Sequence, residues 1–258
     1  MDTVTSADGT AIALDRAGDG PPVILINAGP TDRTVHAPLV DLLGPGFTVL
    51  NYDRRGRGQS GDTPPYAVDR EYEDLAAVID AAGGSASLFG NSGGGILALE
   101  AAARGLPTTK LAVWEPPYGI DGSRPPVPQG YRERLARLLA AGRRGDMVEL
   151  FLTRAVGMPA EAVAPMRQAP FWPSMEAVAH ALVYDAMIVE DFSLPPGRVA
   201  GVKAPTLVLD GGQTPRLATA AQAVADALPN ARRRTLEGQP HNVDAAALAP
   251  ALAEFFAA

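Results

Sequence analysis

The chain contains no cysteine, which excludes a disulfide framework, a thiol nucleophile and thiolate metal ligation. Histidine is nearly as scarce. Only His36, His180 and His241 occur, too few and too scattered for an imidazole-built zinc cage, so no metal is expected. No G-x-G-x-x-G opens a strand-to-helix unit, and no dinucleotide cofactor is expected either. No apolar run approaches the length needed to cross a bilayer. Residues 1–20 are polar where a signal peptide would be basic and then apolar, which points to a cytoplasmic protein. A basic excess is also missing: 22 Lys and Arg face 29 Asp and Glu, a net charge of -7. That balance argues against binding nucleic acid or an anionic membrane and leaves a small-molecule substrate as the expected partner. None of these patterns fixes an oligomeric state.

What the chain does contain is ordinary for a globular protein: 258 residues, 47% hydrophobic and 20% charged. An extended segment at 3–5, an Asp8-Gly9 turn and the alternation at 11–15 read as an antiparallel hairpin. Short apolar runs at 23–26, 47–52, 86–90, 111–114 and 206–210, with a more polar one at 233–237, read as strands of a buried sheet. Helix-period segments at 70–82, 94–104 and 219–228 fall between them. Strand and helix in alternation predict an α/β fold, a mostly parallel, doubly wound sheet with helices on both faces.

The rhythm changes after Trp114, where some 90 residues pass without a convincing strand. A proline-rich stretch, Arg124-Pro125-Pro126-Val127-Pro128, leads into helical patterns at 131–141, 147–155, 160–168 and 174–189. The expected organisation is a core of residues 1–118 and 200–258 with a helical insertion at 119–199. Over the carboxyl edge of the sheet such an insertion is a lid on a ligand site; the plainer alternative is a packing domain.

Gly90-Asn91-Ser92-Gly93-Gly94 follows one of the strands and opens a helix. This is G-x-S-x-G in the context that gives it meaning: a tight turn that lifts the serine above the sheet at a helix N-terminus. The plainer reading is a serine that only caps the helix. His241 follows the last strand, in a loop containing Gly238 and Pro240, at the same carboxyl edge. An imidazole, with an ordinary pKa near 6.5, can take a hydroxyl proton and return it to a leaving group. His36, before a helix, and His180, in the insertion, read as packing residues.

On these residues the chain resembles the α/β-hydrolase family over nearly its whole length. Asp53-Arg54-Arg55-Gly56-Arg57-Gly58-Gln59-Ser60 is similar to the family's D-x-R-G-x-G-x-S segment. Glu115-Pro116-Pro117 and Gly238-Gln239-Pro240-His241 resemble a group of lidded, actinobacterial-type serine hydrolases. The resemblance implies Ser92 as nucleophile, His241 as general base and an oxyanion hole of main-chain N–H groups, by position those of Gly29 and Gly93. Asn27-Ala28-Gly29 stands where the family usually has His-Gly-x, so Asn27 either orients its loop or faces the ligand. The family's usual acid position, a few residues after the seventh strand, holds Thr214. Glu115 is then the favoured acid and Asp210 the runner-up, with the absence of an acid as a third possibility.

Asn27, Trp114, Tyr118 and Trp172 are assigned to substrate binding, since the aromatics flank or occupy the insertion. Arg54, Arg55 and Arg57 read as partners of local carboxylates, and 232–234 as a solvated edge. The expected activity is cleavage of a small or medium carboxylic ester or lactone through an acyl-enzyme on Ser92. The alternatives are an elimination catalyst using Ser92 and His241 for proton transfer, or a non-catalytic binder on the same fold.

Overall fold

A computed structural model describes residues 1–120, 122 and 127–258. Arg124, Pro125 and Pro126 of the expected proline-rich stretch therefore lie outside the described residues.

Among the described residues eight strands form one sheet: β1 (Asp2–Thr5), β2 (Ala11–Ala17), β3 (Pro22–Ile26), β4 (Thr48–Tyr52), β5 (Ala86–Asn91), β6 (Thr108–Trp114), β7 (Thr206–Gly212) and β8 (Ala231–Gln239). Their order is β1-β2-β4-β3-β5-β6-β7-β8. The hairpin β1–β2 is antiparallel, β2 pairs antiparallel with β4, and every later pairing is parallel. The fold is the expected α/β-hydrolase-like one.

Both faces of the central strands are apolar because both are covered. Ile24 and Ile26 of β3, Leu111 and Val113 of β6 and Val208 of β7 enter one core, while Val23, Leu25, Ala112, Trp114, Leu207 and Leu209 enter the other. This two-residue alternation is the pleat of a strand packed on both sides. Helices α1 (Ala37–Leu43) before β4, α2 (Val68–Ala81) before β5 and α3 (Gly93–Ala103) after it supply most of the first half's cover.

The β6–β7 segment is helical: α4 (Tyr131–Ala140), α5 (Arg144–Leu150), a π-helical stretch (Phe151–Val156), α6 (Ala160–Val163), a 3-10 turn (Ala164–Gln168), α7 (Trp172–Ala177), α8 (Ala181–Val189) and α9 (Pro196–Val199). A single parallel bridge joins Gly119 to Ser193. Then α10 (Pro215–Ala227) precedes β8, and α11 (Ala245–Ala257) closes the chain. Helices α1 and α11 cover the face that holds Trp114; α2, α3 and α10 cover the other.

Three helical expectations in this segment are corrected. The pattern at 147–155 widens into π geometry from Phe151; that at 160–168 tightens into a 3-10 turn once Pro165 removes a donor; that at 174–189 breaks after Ala177.

Strand order fixes where a ligand fits. Chain from β3 runs to β4 on one side, whereas β5 lies on the other side of β3. The carboxyl ends of β3 and β5 thus form a topological switch point, where connecting loops diverge and leave a crevice. The Gly29 loop and the Ser92 turn leave the sheet there.

Candidate active site

Ser92 follows β5 with φ 51° and ψ -125°. Few non-glycine residues adopt this region, and strain of this kind clusters at functional turns. Its neighbours explain the turn. A Cβ on Gly90 would strike the Gly94 carbonyl, and one on Gly94 would strike the Ile26 carbonyl and lie 2.8 Å from that of Asn27. The two motif glycines therefore serve close backbone approach. Ser92 N–H donates to the Trp114 carbonyl at 2.8 Å, and the Ser92 side chain makes no capping bond to α3. A serine that only caps the helix is not what the turn holds.

Glu115, directly after β6, is the second strained residue, with φ 43°. Its buried carboxylate is held at both oxygens: Oε1 accepts the Gly211 N–H at 3.0 Å, and Oε2 lies 2.7 Å from His241 Nδ1. Gly211 is packed so tightly against Gln239 that a Cβ there would strike its carbonyl. The His241 side chain remains 35% exposed. A charged partner on Nδ1 fixes ring orientation and tautomer, leaving Nε2 for chemistry.

Asp210, the runner-up acid, is not beside His241. It is buried at the β7–β8 pairing, where Oδ2 takes Arg233 Nε at 2.8 Å and Thr235 Oγ1 lies at 3.3 Å. Register would place Glu115 beside Asp210, but Glu115 leaves strand geometry at its positive φ, and the two carboxylates take different partners. Thr214 is the N-cap residue of α10.

Gly29 (φ 64°) and Gly93 are both half-buried, and Gly93 opens α3, whose first N–H groups have no intrahelical acceptor. Thr31 Oγ1 donates to the Ala28 carbonyl at 2.8 Å; because the Ala28–Gly29 peptide is planar, this fixes the direction of the Gly29 N–H as well. Asn27, assigned to substrate binding, is instead fully buried. Its Nδ2 donates to the Thr31 carbonyl at 3.0 Å, so it braces the loop from behind.

The three aromatics assigned to the substrate are buried as well. Trp114 is fully buried in the α1/α11 face, and its indole N–H donates to the His241 carbonyl at 2.9 Å. Tyr118 is buried, with its hydroxyl pushed above the ordinary tyrosine value by burial and then by Glu100. Trp172 is buried within the helical segment, where its indole N–H donates to Glu176 Oε1 at 2.8 Å.

Residues outside any motif lie beside the Gly29 loop and the Ser92 turn. Phe151 lies against Gly29, where a Cβ would be 3.3 Å from its ring, and Val189 lies 3.8 Å from the same point on Gly93. Half-buried Arg216 donates to the Val156 carbonyl at 2.7 Å; burial holds its guanidinium below its ordinary value, against the pull of Glu115. These contacts join a distant helical segment to the loops of the sheet, and no local sequence pattern encodes them.

His36 packs edge-on against Phe89, and burial lowers its pKa to about 4. His180 is held below its ordinary value by burial and then by Arg144. His36 is buried and His180 half-buried. Among the described residues no group of three or more His, Asp or Glu is placed to hold a metal ion, and no helix is long and apolar enough to cross a membrane.

An alpha/beta hydrolase from Sphaerobacter thermophilus DSM 20745 has a crystal structure similar to this one, with TM-score 0.95 and 58% identity over 99% of this chain and 100% of that one. The pimeloyl-[acyl-carrier protein] methyl ester esterase of Xanthomonas campestris pv. campestris (strain B100) is 30% identical over 236 residues, 88% of this chain and 90% of that protein. The probable oxidoreductase EphD of Mycobacterium bovis is 36% identical over 81 residues, but that stretch spans 30% of this chain and 14% of EphD. The model of the alpha/beta hydrolase family matches residues 23–253, and the chain belongs to that family.

Proposed function

We propose that the protein is a serine hydrolase of small or medium carboxylic esters or lactones, in which the helices between β6 and β7 act as a lid. One observation carries the reading: a carboxylate, Glu115, 2.7 Å from Nδ1 of the histidine that shares a sheet edge with an uncapped, strained serine. Likeness over most of the chain to a methyl ester esterase supports an ester as the bond cleaved.

His241 Nε2 takes the Ser92 hydroxyl proton as Oγ attacks the ester carbonyl. Glu115 stabilises the imidazolium through Nδ1–H while itself remaining ionised. The N–H groups of Gly29 and Gly93 meet the tetrahedral oxyanion, with no reorganisation needed because Thr31 and the start of α3 have already aimed them. Collapse expels the alcohol with the proton from His241. Water, deprotonated by the same histidine, then frees the acid. Phe151 and Val189 give the acyl group apolar contact beside the two donors.

Intact mass after incubation with a fluorophosphonate tests this without a guessed substrate. The parent is expected to gain one adduct and Ser92→Ala none. An unlabelled, well-folded parent that nevertheless turns over a substrate would overturn the acyl-enzyme step and favour proton-transfer chemistry.

A further inference from the structure

β4 delivers Arg54, Arg55 and Arg57 in close succession, and all three are buried. Arg55 sits at the arginine position of the D-x-R-G-x-G-x-S pattern and is paired locally, with Asp74 through two bonds of 2.7 Å and with Asp8 at 3.0 Å. Arg54 and Arg57 occupy the variable positions and turn the other way. Arg54 Nη1 and Arg57 Nη2 both donate to Asp185 Oδ1 on α8, at 2.9 and 2.7 Å. Arg54 is also gripped by Glu71 of α2, Nε to Oε2 at 3.0 Å and Nη2 to Oε1 at 2.7 Å. Its Nη1 reaches the main-chain carbonyl of Asn27 at 3.4 Å.

That last contact separates the two arginines. Asn27 leads into Ala28-Gly29, so its carbonyl belongs to the peptide next to the one that bears the Gly29 N–H. The same carbonyl lies against Gly94, at the start of α3. On the other side, Asp185 is one helical turn before Val189, and residues four apart share a helix face; Val189 is the residue that lies beside Gly93. A buried charge cluster is a poor source of net stability compared with apolar packing. What it does supply is one geometry, since a guanidinium fork engages a carboxylate in a fixed direction.

We propose that Arg54 is a positioning residue for the oxyanion-binding strip: its single guanidinium ties the Asn27 carbonyl, the core helix α2 and the lid helix α8 together and so sets the relation of the Gly29 and Gly93 N–H groups. The proposal rests on the ester-hydrolase reading above. Arg57 shares Asp185 but not Asn27, and its Nε is buried without a hydrogen-bond partner among the described residues.

The test compares Arg54→Lys with Arg57→Lys, using p-nitrophenyl acetate turnover and the rate of fluorophosphonate labelling. Each variant keeps the charge and loses a guanidinium bond to Asp185 Oδ1; only the first also loses the fork onto Glu71 and the hold on Asn27. Arg54→Lys is expected to lower kcat at least tenfold with KM within threefold, and to slow labelling in proportion, while Arg57→Lys stays within threefold in kcat. Equal losses in the two variants, or a loss confined to KM, would overturn the proposal. Hydrogen exchange keeps it decidable if Arg54→Lys does not fold. In the isosteric Asp185→Asn, the amides of Ala28, Gly29 and Thr31 are expected to exchange at least tenfold faster than in the parent while β6 and β7 are unchanged; unchanged protection at those three amides would overturn the clasp. An unlabelled parent would sink the hydrolase reading alone, because the exchange comparison does not depend on chemistry.

Discussion

The indole N–H of Trp114 donates to the His241 carbonyl at 2.9 Å, while the carbonyl of the same tryptophan accepts the Ser92 N–H at 2.8 Å. One residue at the end of β6 thus braces both the serine turn and the histidine loop, and the next residue supplies the carboxylate on His241 Nδ1. Trp114→Phe keeps most of the ring volume and removes the donor. It is expected to cost about 1–2 kcal/mol of stability and about tenfold in kcat, read by urea unfolding and p-nitrophenyl acetate turnover. The predicted loss of stability with unchanged kcat would show that the brace serves folding alone.

The carboxylates separate in the same way. Glu115→Gln is expected to lower kcat by about 10²–10⁴-fold, because a neutral amide cannot stabilise the imidazolium. Asp210→Asn should leave kcat within about threefold while lowering stability by about 1–3 kcal/mol, since Arg233 and Thr235 lose a buried ionic acceptor. If neither substitution slows ester hydrolysis tenfold, the carboxylate paired with His241 is not the working acid.

Gly94→Ala drives a methyl group into the Ile26 carbonyl. A loss of about 1–3 kcal/mol or more is expected, from the overpacking of a rigid backbone contact. Gly197→Ala, in α9 with open space around the added Cβ, should be neutral or stabilising by about 0.5–1 kcal/mol. Thermal unfolding of the two variants side by side checks the contrast.

Acid sensitivity has an assignable source. The folded chain holds His36 at about 4, against an ordinary value of 6.5, so between those two values the unfolded chain binds a proton that the folded chain refuses. Stability therefore rises with pH across that window and is fully present above 6.5. On the order of 3 kcal/mol is lost on descending through it. Asp8 acts at lower pH: Arg55 holds its carboxyl below the usual range, so its contribution goes only as pH falls past the unfolded carboxylate value. Urea midpoints at pH 7.5, 6.0 and 4.5 should fall less steeply in His36→Gln than in the parent. Parallel curves would remove His36 as the cause.

The sheet was readable because strands buried on both faces must be short apolar runs, and 23–26, 86–90 and 111–114 show little else. β8 extends to Gln239, two residues past the expected end, because edge pairing with β7 continues through Gly212 after a register shift. Ser92, Glu115 and His241 were legible for a related reason: each directly follows, or lies just beyond, a strand end at one edge. The burial of Trp114, Tyr118 and Trp172 has no local signal, since nothing in the sequence says which face of the sheet, or which side of a helix, an aromatic meets. Phe151, Val189 and Arg216 carry no motif, and their positions exist only once the helical segment has docked.

Ser92 and Glu115 both take up positive φ where the neighbouring strands β5 and β6 end, one step past the paired Asn91 and Trp114. Neither residue would choose that conformation in a free chain, and each is held there by the sheet beneath it. Inactivation by heat is therefore expected no later than melting of the sheet. Frayed intermediates that retain partial activity have no place in such an arrangement, because releasing either turn dissolves the constellation while the strands are still paired only elsewhere.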